Sequence, residues 1–208
     1  MVFVFIVALT YLLGSIPSGY LVARSRGIDI RQHGSKNIGA TNVLRVMGKK
    51  WGYLVFACDA LKGLASVRLA TFIAGAGHVS LTVGGVLGAI ACILGHNYTV
   101  WLGFKGGKGI ATSSGVLLGL FQPLVLLSTV VVWIVVFLVC RYVSLASICA
   151  AACLPVAVFL LTADFTRDFW ILFGFALLIA ALAIWRHRAN IVRLSQGTES
   201  RFSRKRAG

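Results

Sequence analysis

Ile110–Cys140 reads IATSSGVLLGLFQPLVLLSTVVVWIVVFLVC, a mostly apolar run of 31 residues with a Gln122-Pro123 step inside it. A helix needs roughly 20 apolar residues to cross a bilayer. The run is therefore too long for one span and short for two, and the charges around it decide. If it crosses once, the tail carrying Arg186, Arg188, Arg193, Arg201, Arg204, Lys205 and Arg206 ends opposite the other basic loops. If it breaks at Gln122-Pro123 and crosses twice, seventeen of the twenty Lys and Arg residues gather on one side. These are seven between Arg24 and Lys50, then Lys105, Lys108, Arg141 and the seven of the tail. Lys/Arg-rich loops stay cytoplasmic, so the double crossing is the consistent one.

Working outward, the remaining apolar runs are Val2–Ala23, Trp51–Gly75, Ser80–Leu94, Val143–Ala163 and Phe169–Trp185. The expectation is an all-α integral membrane protein of seven transmembrane helices, N-terminus outside and C-terminus cytoplasmic. The whole chain, 1–208, reads as a single membrane domain that closes with a basic tail at 200–208. Pro17, within Gly14–Gly19, is placed to kink the first span. No basic region precedes that span, which argues against a cleaved signal peptide.

Composition agrees. Of 208 residues 59% are hydrophobic and 12% charged, whereas soluble domains carry about 25% charged residues. The net charge of +15 sits between apolar runs, so membrane lipid headgroups and an anionic substrate are the expected partners, and nucleic acid is not. Five cysteines (Cys58, Cys92, Cys140, Cys149, Cys153) lie in apolar runs without a CxxC spacing and read as small hydrophobes. Five carboxylates are too few for a carboxylate-rich metal cage; neither a metal nor a cofactor is expected.

Chemistry should lie in the polar stretches. Gly95–Thr112, GHNYTVWLGFKGGKGIAT, holds His96, Asn97, Lys105, Lys108 and five glycines between apolar runs. Glycines let amides turn to a ligand and lysines supply point charges, so this reads as an anion pocket. The bland alternative is a loop kept basic only by topology. It is not a nucleotide P-loop, because Leu102 stands where the first Gly is needed and Gly109 follows Lys108. Upstream, Ser35 or Asn37 is placed to cap a short helix ending at Gly48, with Asn42 and Arg45 on one face. Asp59 and Lys62, three apart in the second span, are placed to pair, as a functional site or as a structural ion pair. Ser144 and Ser147 open the sixth span, where capping is the simplest role. A helix continuing past the seventh span would place His187, Asn190 and Arg193 near one face; the alternative is interfacial anchoring.

The topology brings four polar stretches to one side, while the outer loops are short and chemically poor. A transporter needs a polar route to both sides, so the asymmetry favours an enzyme acting on lipid. The GxSxG elbow of serine hydrolases is missing. None of the four histidines, His33, His78, His96 and His187, is followed five positions on by Asp, so the His-x4-Asp dyad of acyl-CoA-type glycerophosphate acyltransferases is missing too.

Four motifs, GSxNxGATN at Gly34–Asn42, GHxYxxxxGFKGGKGxAT at Gly95–Thr112, RYVSLASI at Arg141–Ile148 and RHRxNIxRLxxGxE at Arg186–Glu199, together resemble the bacterial acyl-phosphate-dependent glycerol-3-phosphate acyltransferases, the PlsY family. The resemblance implies a seven-helix inner-membrane enzyme with a cytoplasmic active site. It implies acyl transfer from acyl phosphate to the 1-hydroxyl of sn-glycerol 3-phosphate, giving lysophosphatidic acid and phosphate, and a functional link to an enzyme that makes acyl phosphate. It carries over Ser35, Asn37, Asn42 and Arg45 from the first motif and His96, Lys105, Lys108 and Thr112 from the second. Ser144 and Ser147 come from the third, and His187, Asn190, Arg193 and Glu199 from the last. The family usually has Gly where this chain has Lys36, a position at which lysine adopts positive φ less cheaply.

The expected mechanism needs no covalent intermediate, since an acyl phosphate is already activated. Lys105, Lys108 and the Gly106, Gly107 and Gly109 amides are expected to grip the donor. Arg45, Asn190, His187 and Arg193 are expected to hold glycerol phosphate, with Ser35 and Asn37 at the reacting centre. The base is His96, His187 or a substrate phosphate. The competing reading is a permease or channel for a small phosphorylated anion, gated by the glycine-lysine stretch.

Overall fold

The computed structural model describes residues 1–162 and 165–202, which leaves Ala163 at the end of the expected sixth span, and Arg204, Lys205 and Arg206, outside the described residues. Every regular element among the described residues is helical. The chain divides into two compact units, Met1–Phe121 and Gln122–Gly208.

In the first unit the leading apolar run is broken. α1 (Val2–Ser15) stops and α2 (Ser18–Arg24) restarts around Ile16-Pro17, because Pro17 has no N–H to continue the ladder. α3 (Ala40–Met47), α4 (Lys49–Ala76), α5 (Leu81–Asn97) and α6 (Ile110–Leu120) follow, with short 3-10 turns at Ile30–Gln32 and Val100–Leu102. The Ser80 hydroxyl starts α5 by accepting from the Val83 amide at 3.3 Å.

Helices here meet backbone to backbone. Gly14 of α1 lies on the backbone of Cys92 in α5, and Gly95 of α5 lies on the Tyr11 carbonyl of α1. Gly63 and Gly115 make the equivalent reciprocal approach between α4 and α6. Close van der Waals contact of this kind holds helices together where lipid offers no hydrophobic driving force. The polar connection from Arg24 to Lys50 has a core of its own: Ala23, Ile30, Ile38, Val43 and Val55 are buried together, with Tyr20 and Trp51 packed on them.

The second unit holds α7 (Pro123–Cys140), α8 (Val143–Leu161), α9 (Arg167–Arg186) and α10 (Arg188–Ser195). The expected break is present: α6 ends at Leu120, Phe121 and Gln122 are extended, and Pro123 takes the first turn of α7, where its fixed φ suits a helix start. Thr166 caps α9 by accepting from the Phe169 amide. Only Val125 and Thr129 of α7 are buried.

Among the described residues five segments are long and apolar enough to cross a membrane: Val2–Arg24, Leu81–Leu102, Pro123–Cys140, Val143–Leu161 and Arg167–Arg186. α6 is apolar but has 11 residues. α4 has 28 residues and carries Asp59, Lys62 and Arg68.

Candidate active site

The first motif folds around Asn42. This side chain is buried on α3, and its Oδ1 accepts from the Ser35 amide at 2.8 Å. Its Nδ2 donates to the carbonyls of His33 (3.0 Å) and Asn37 (2.8 Å). Both amide hydrogens are engaged by the chain itself, so Asn42 shapes the loop that presents Ser35 and gives no donor to an anion. The capping expectation is corrected: Gly39 is the N-cap of α3 without a side-chain cap. The Asn37 Oδ1 accepts instead from the Gly39 amide at 2.8 Å. Lys36 stands at φ 58, so the loop keeps a left-handed residue without its glycine. Arg45 lies one turn beyond Asn42 on the exposed side of α3. Asp29 clasps Arg31 at 2.7 Å, and the hydrogen-bonded guanidinium brings the Asp29 carboxyl down to about 2.

The glycine-lysine stretch doubles back on the end of α5. The Gly106 amide donates to the Asn97 carbonyl (3.1 Å) and the Gly107 amide to the His96 carbonyl (3.0 Å). This corrects the expectation that those two amides face a ligand. The glycines are needed for approach: a Cβ on Gly106 would meet the His96 carbonyl, and one on Gly107 the His96 ring. Gly109, at φ 84, starts α6, whose first amides have no partner within the helix. Lys105 is exposed and Lys108 half-buried beside it. Leu102 packs on the core beneath the first motif, so the two motifs share one side of the unit.

Two buried groups stand out at this turn. Both amide atoms of Asn97 and the Thr112 hydroxyl have no hydrogen-bond partner, and the Asn97 Oδ1 lies beside Gly109. Nothing in the sequence distinguished Asn97 from its polar neighbours. His96 is buried, and its Nδ1 lies 3.0 Å from the Lys62 Nζ. The Lys62 Nζ lies 2.8 Å from Asp59 Oδ1, so the amine, the carboxylate and the imidazole form one buried cluster.

In the second unit the centre is Glu199. α10 ends, Gly197 turns at φ 68, and the Thr198 and Glu199 amides bond the Arg193 carbonyl at 2.8 and 3.2 Å. The Glu199 Oε1 accepts from Ser144 (2.8 Å) and Asn190 (2.6 Å), and Oε2 from Arg193 Nε (2.7 Å). Burial pushes the Glu199 carboxyl up, but these donors outweigh it and hold the group below its ordinary value. Ser144 therefore binds Glu199 and does not cap α8, whose N-cap is Tyr142. Ser147 donates to the Val143 carbonyl (2.8 Å) and accepts from Trp133 Nε1 (3.1 Å). The expected continuous helix is interrupted at His187. The His187 Nδ1 lies 2.8 Å from the Ala183 carbonyl. A carbonyl only accepts, so Nδ1 carries the proton and, in the neutral ring, Nε2 carries the lone pair.

A family model described as glycerol-3-phosphate acyltransferase matches residues 4–197. The chain belongs to this family. The glycerol-3-phosphate acyltransferase of Desulforudis audaxviator is 47% identical over 96% of this chain and 96% of its own. That of Aquifex aeolicus is 46% identical over 95% and 98%. The crystal structure of PlsY (YgiH), an integral membrane glycerol 3-phosphate acyltransferase, in its glycerol 3-phosphate form is 43% identical. It covers 97% of this chain and 96% of that one with a TM-score of 0.86. Its lysophosphatidic acid form matches at 42% identity and a TM-score of 0.84 over 97% and 95%. The chain is thus an all-helical integral membrane protein of the acyltransferase family.

Within this acyltransferase the sequence-predicted residues fall into two sets. Ser35, Asn37, Asn42, Arg45, His96, Lys105–Gly109 and Thr112 belong to the first unit, and Ser144, Ser147, His187, Asn190, Arg193 and Glu199 to the second. Asp59 and Lys62 join the first set through His96.

Proposed function

We propose that this chain is an acyltransferase that moves a fatty acyl group from acyl phosphate to the 1-hydroxyl of sn-glycerol 3-phosphate. The hydroxyl oxygen attacks the acyl carbonyl carbon and the new ester bond forms. The acyl–phosphate C–O bond breaks, and inorganic phosphate leaves with its electron pair. The hydroxyl proton passes to the His187 Nε2 or to a substrate phosphate.

Family membership carries the reading, and the chemistry of the two clusters supports it. Both are rich in donors, and each carboxylate is engaged: Asp59 by Lys62 at 2.8 Å, and Glu199 by Ser144, Asn190 and Arg193. Such a set stabilises anions and a developing oxyanion through fixed donors. Lys105, Lys108, the Gly109 amide and Thr112 at the start of α6 suit the donor phosphate. In the first unit Ser35, Asn37 and Arg45 suit a phosphate and its neighbouring hydroxyls; in the second, His187, Asn190 and Arg193 suit the same chemistry. Asn42, Ser147 and Glu199 position these groups. Holding two reactants in attack geometry contributes about 7–11 kcal/mol, so no covalent intermediate is needed.

We read 1–208 as one acyltransferase domain in the bacterial inner membrane. It has seven spans, α4 and α6 completing the five apolar ones, with the N-terminus outside and both site clusters facing the cytoplasm. The placement of seventeen of twenty basic residues supports this. An enzyme that makes acyl phosphate must supply the donor.

The test is purified protein with palmitoyl phosphate and glycerol 3-phosphate, without metal or coenzyme A, following phosphate and lysophosphatidic acid together. Equimolar products that need both substrates and vanish in Lys105→Ala support the proposal. Phosphate alone means hydrolysis. Glycerol 3-phosphate flux into sealed vesicles without acyl product means the permease reading.

A further inference from the structure

We propose that Lys62 is a positioning residue for the glycine-lysine turn. Held by Asp59 and the Ile16 carbonyl, it fixes the proton position and orientation of the His96 ring against which Gly107 is seated. The inference rests on the acyltransferase reading for its consequence, but not for its geometry.

Lys62 is 6% exposed, Asp59 2% and His96 5%. A lysine this deep keeps its charge only if it is paired with an opposite charge and hydrogen-bonded. Two hydrogen-bond partners are at hand, the Ile16 carbonyl at 2.8 Å and His96 Nδ1 at 3.0 Å, and Asp59 Oδ1 at 2.8 Å supplies the countercharge. The first comes from the break in the leading run, where the Ile16 carbonyl lies between α1 and α2 and accepts also from the Ser18 amide at 3.0 Å. The second lies at the end of α5, and the countercharge one turn away on α4. One ammonium thus ties together the helix break, α4 and the last turn of α5.

The consequence runs outward through His96. Asp59 Oδ1 is 3.6 Å from Nδ1, farther than Lys62, so the lysine sets that nitrogen as acceptor and the proton goes to Nε2. The edge bearing Nε2 is the edge on which Gly107 sits, and the His96 carbonyl receives the Gly107 amide at 3.0 Å. Ring and backbone of one residue therefore locate Gly107 from two directions. Lys105 and Lys108 flank that point, so a rotated His96 would displace both cations. A shift of about 1 Å near reacting groups can cost on the order of 10²-fold in rate.

The test has two readouts. In ¹⁵N-histidine-labelled protein, with His96 assigned by its absence in His96→Gln, the parent should show His96 with Nδ1 as acceptor and Nε2 protonated. In Asp59→Leu/Lys62→Met, which removes both buried charges together and so preserves folding, the signal should become a mixture of tautomers. Turnover should fall about 10–100-fold with the KM for glycerol 3-phosphate within about twofold. Asp59→Asn/Lys62→Gln, which keeps a donor for Nδ1 without the charge, should recover most of the turnover. A parent with the proton on Nδ1 overturns the proposal, as does a folded Leu/Met variant with parental kcat. A parent that shows the expected tautomer but makes no lysophosphatidic acid overturns the acyltransferase reading instead.

Discussion

Asn42→Ala separates a loop-shaping role from a substrate contact. The side chain makes three short hydrogen bonds, from the Ser35 amide and to the His33 and Asn37 carbonyls. Each is worth about 0.5–1.5 kcal/mol net, or roughly 1.5–4.5 kcal/mol together. His33 and Ser35 are exposed, so water replaces part of this, and alanine regains up to about 0.7 kcal/mol of helix propensity in α3. The expected loss is about 1–3 kcal/mol. For a chain of this length that lowers the thermal midpoint by roughly 2–12 °C, read by thermal unfolding in detergent. Because the loop carries Ser35, kcat should fall about tenfold or more. Asn42→Asp keeps the acceptor for the Ser35 amide but turns a carboxylate towards two carbonyl oxygens, and should be destabilised at least as much. An unchanged midpoint with only a raised KM for glycerol 3-phosphate would refute the reasoning and make Asn42 a substrate ligand.

Three further outcomes are expected. Lys36→Gly removes a left-handed lysine and should raise stability by up to about 1 kcal/mol with unchanged turnover; Lys36→Ala, which keeps the φ penalty, should not. Gly107→Ala places a methyl against the His96 ring and should cut kcat by about 10²-fold or more in the same assay. Glu199 has its folded-state carboxyl held low by Asn190, Ser144 and Arg193 against the opposing effect of burial. Its contribution is therefore complete above the ordinary value of about 4.3 and is lost as pH falls through the lowered folded value. Across that acid window the parent's thermal midpoint should fall more steeply than that of Glu199→Gln.

Several features were legible because they follow from chain chemistry. The Gln122-Pro123 break was readable from run length and charge, and the Asp59–Lys62 pair from a three-residue spacing. The core beneath the first loop was not, because Ile30, Ile38 and Val43 are too scattered among polar residues to show a period. The Gly106 and Gly107 amides were misread: glycine composition signals close approach, but not whether the partner is a ligand or the chain's own carbonyls. Lys62 and His96 lie 34 positions apart, and no local pattern encodes their meeting. The motif marks Glu199 without a role; its part as an organiser shows only in the three donors it accepts from, Ser144, Asn190 and Arg193.

α4 carries a consequence for how the chain enters the bilayer. On the seven-span reading, an Asp or Lys at mid-depth disfavours insertion of a lone helix by about 2.5–3.5 kcal/mol. Asp59 and Lys62 relieve each other within the helix, but Lys62 also needs the Ile16 carbonyl, made before α4, and His96, made after it. The order of synthesis thus gives α4 a companion already waiting at the translocon, and its last partner arrives with α5. A permuted chain beginning at α4 would present the same residues without that companion, and its biogenesis should fail at the first helix.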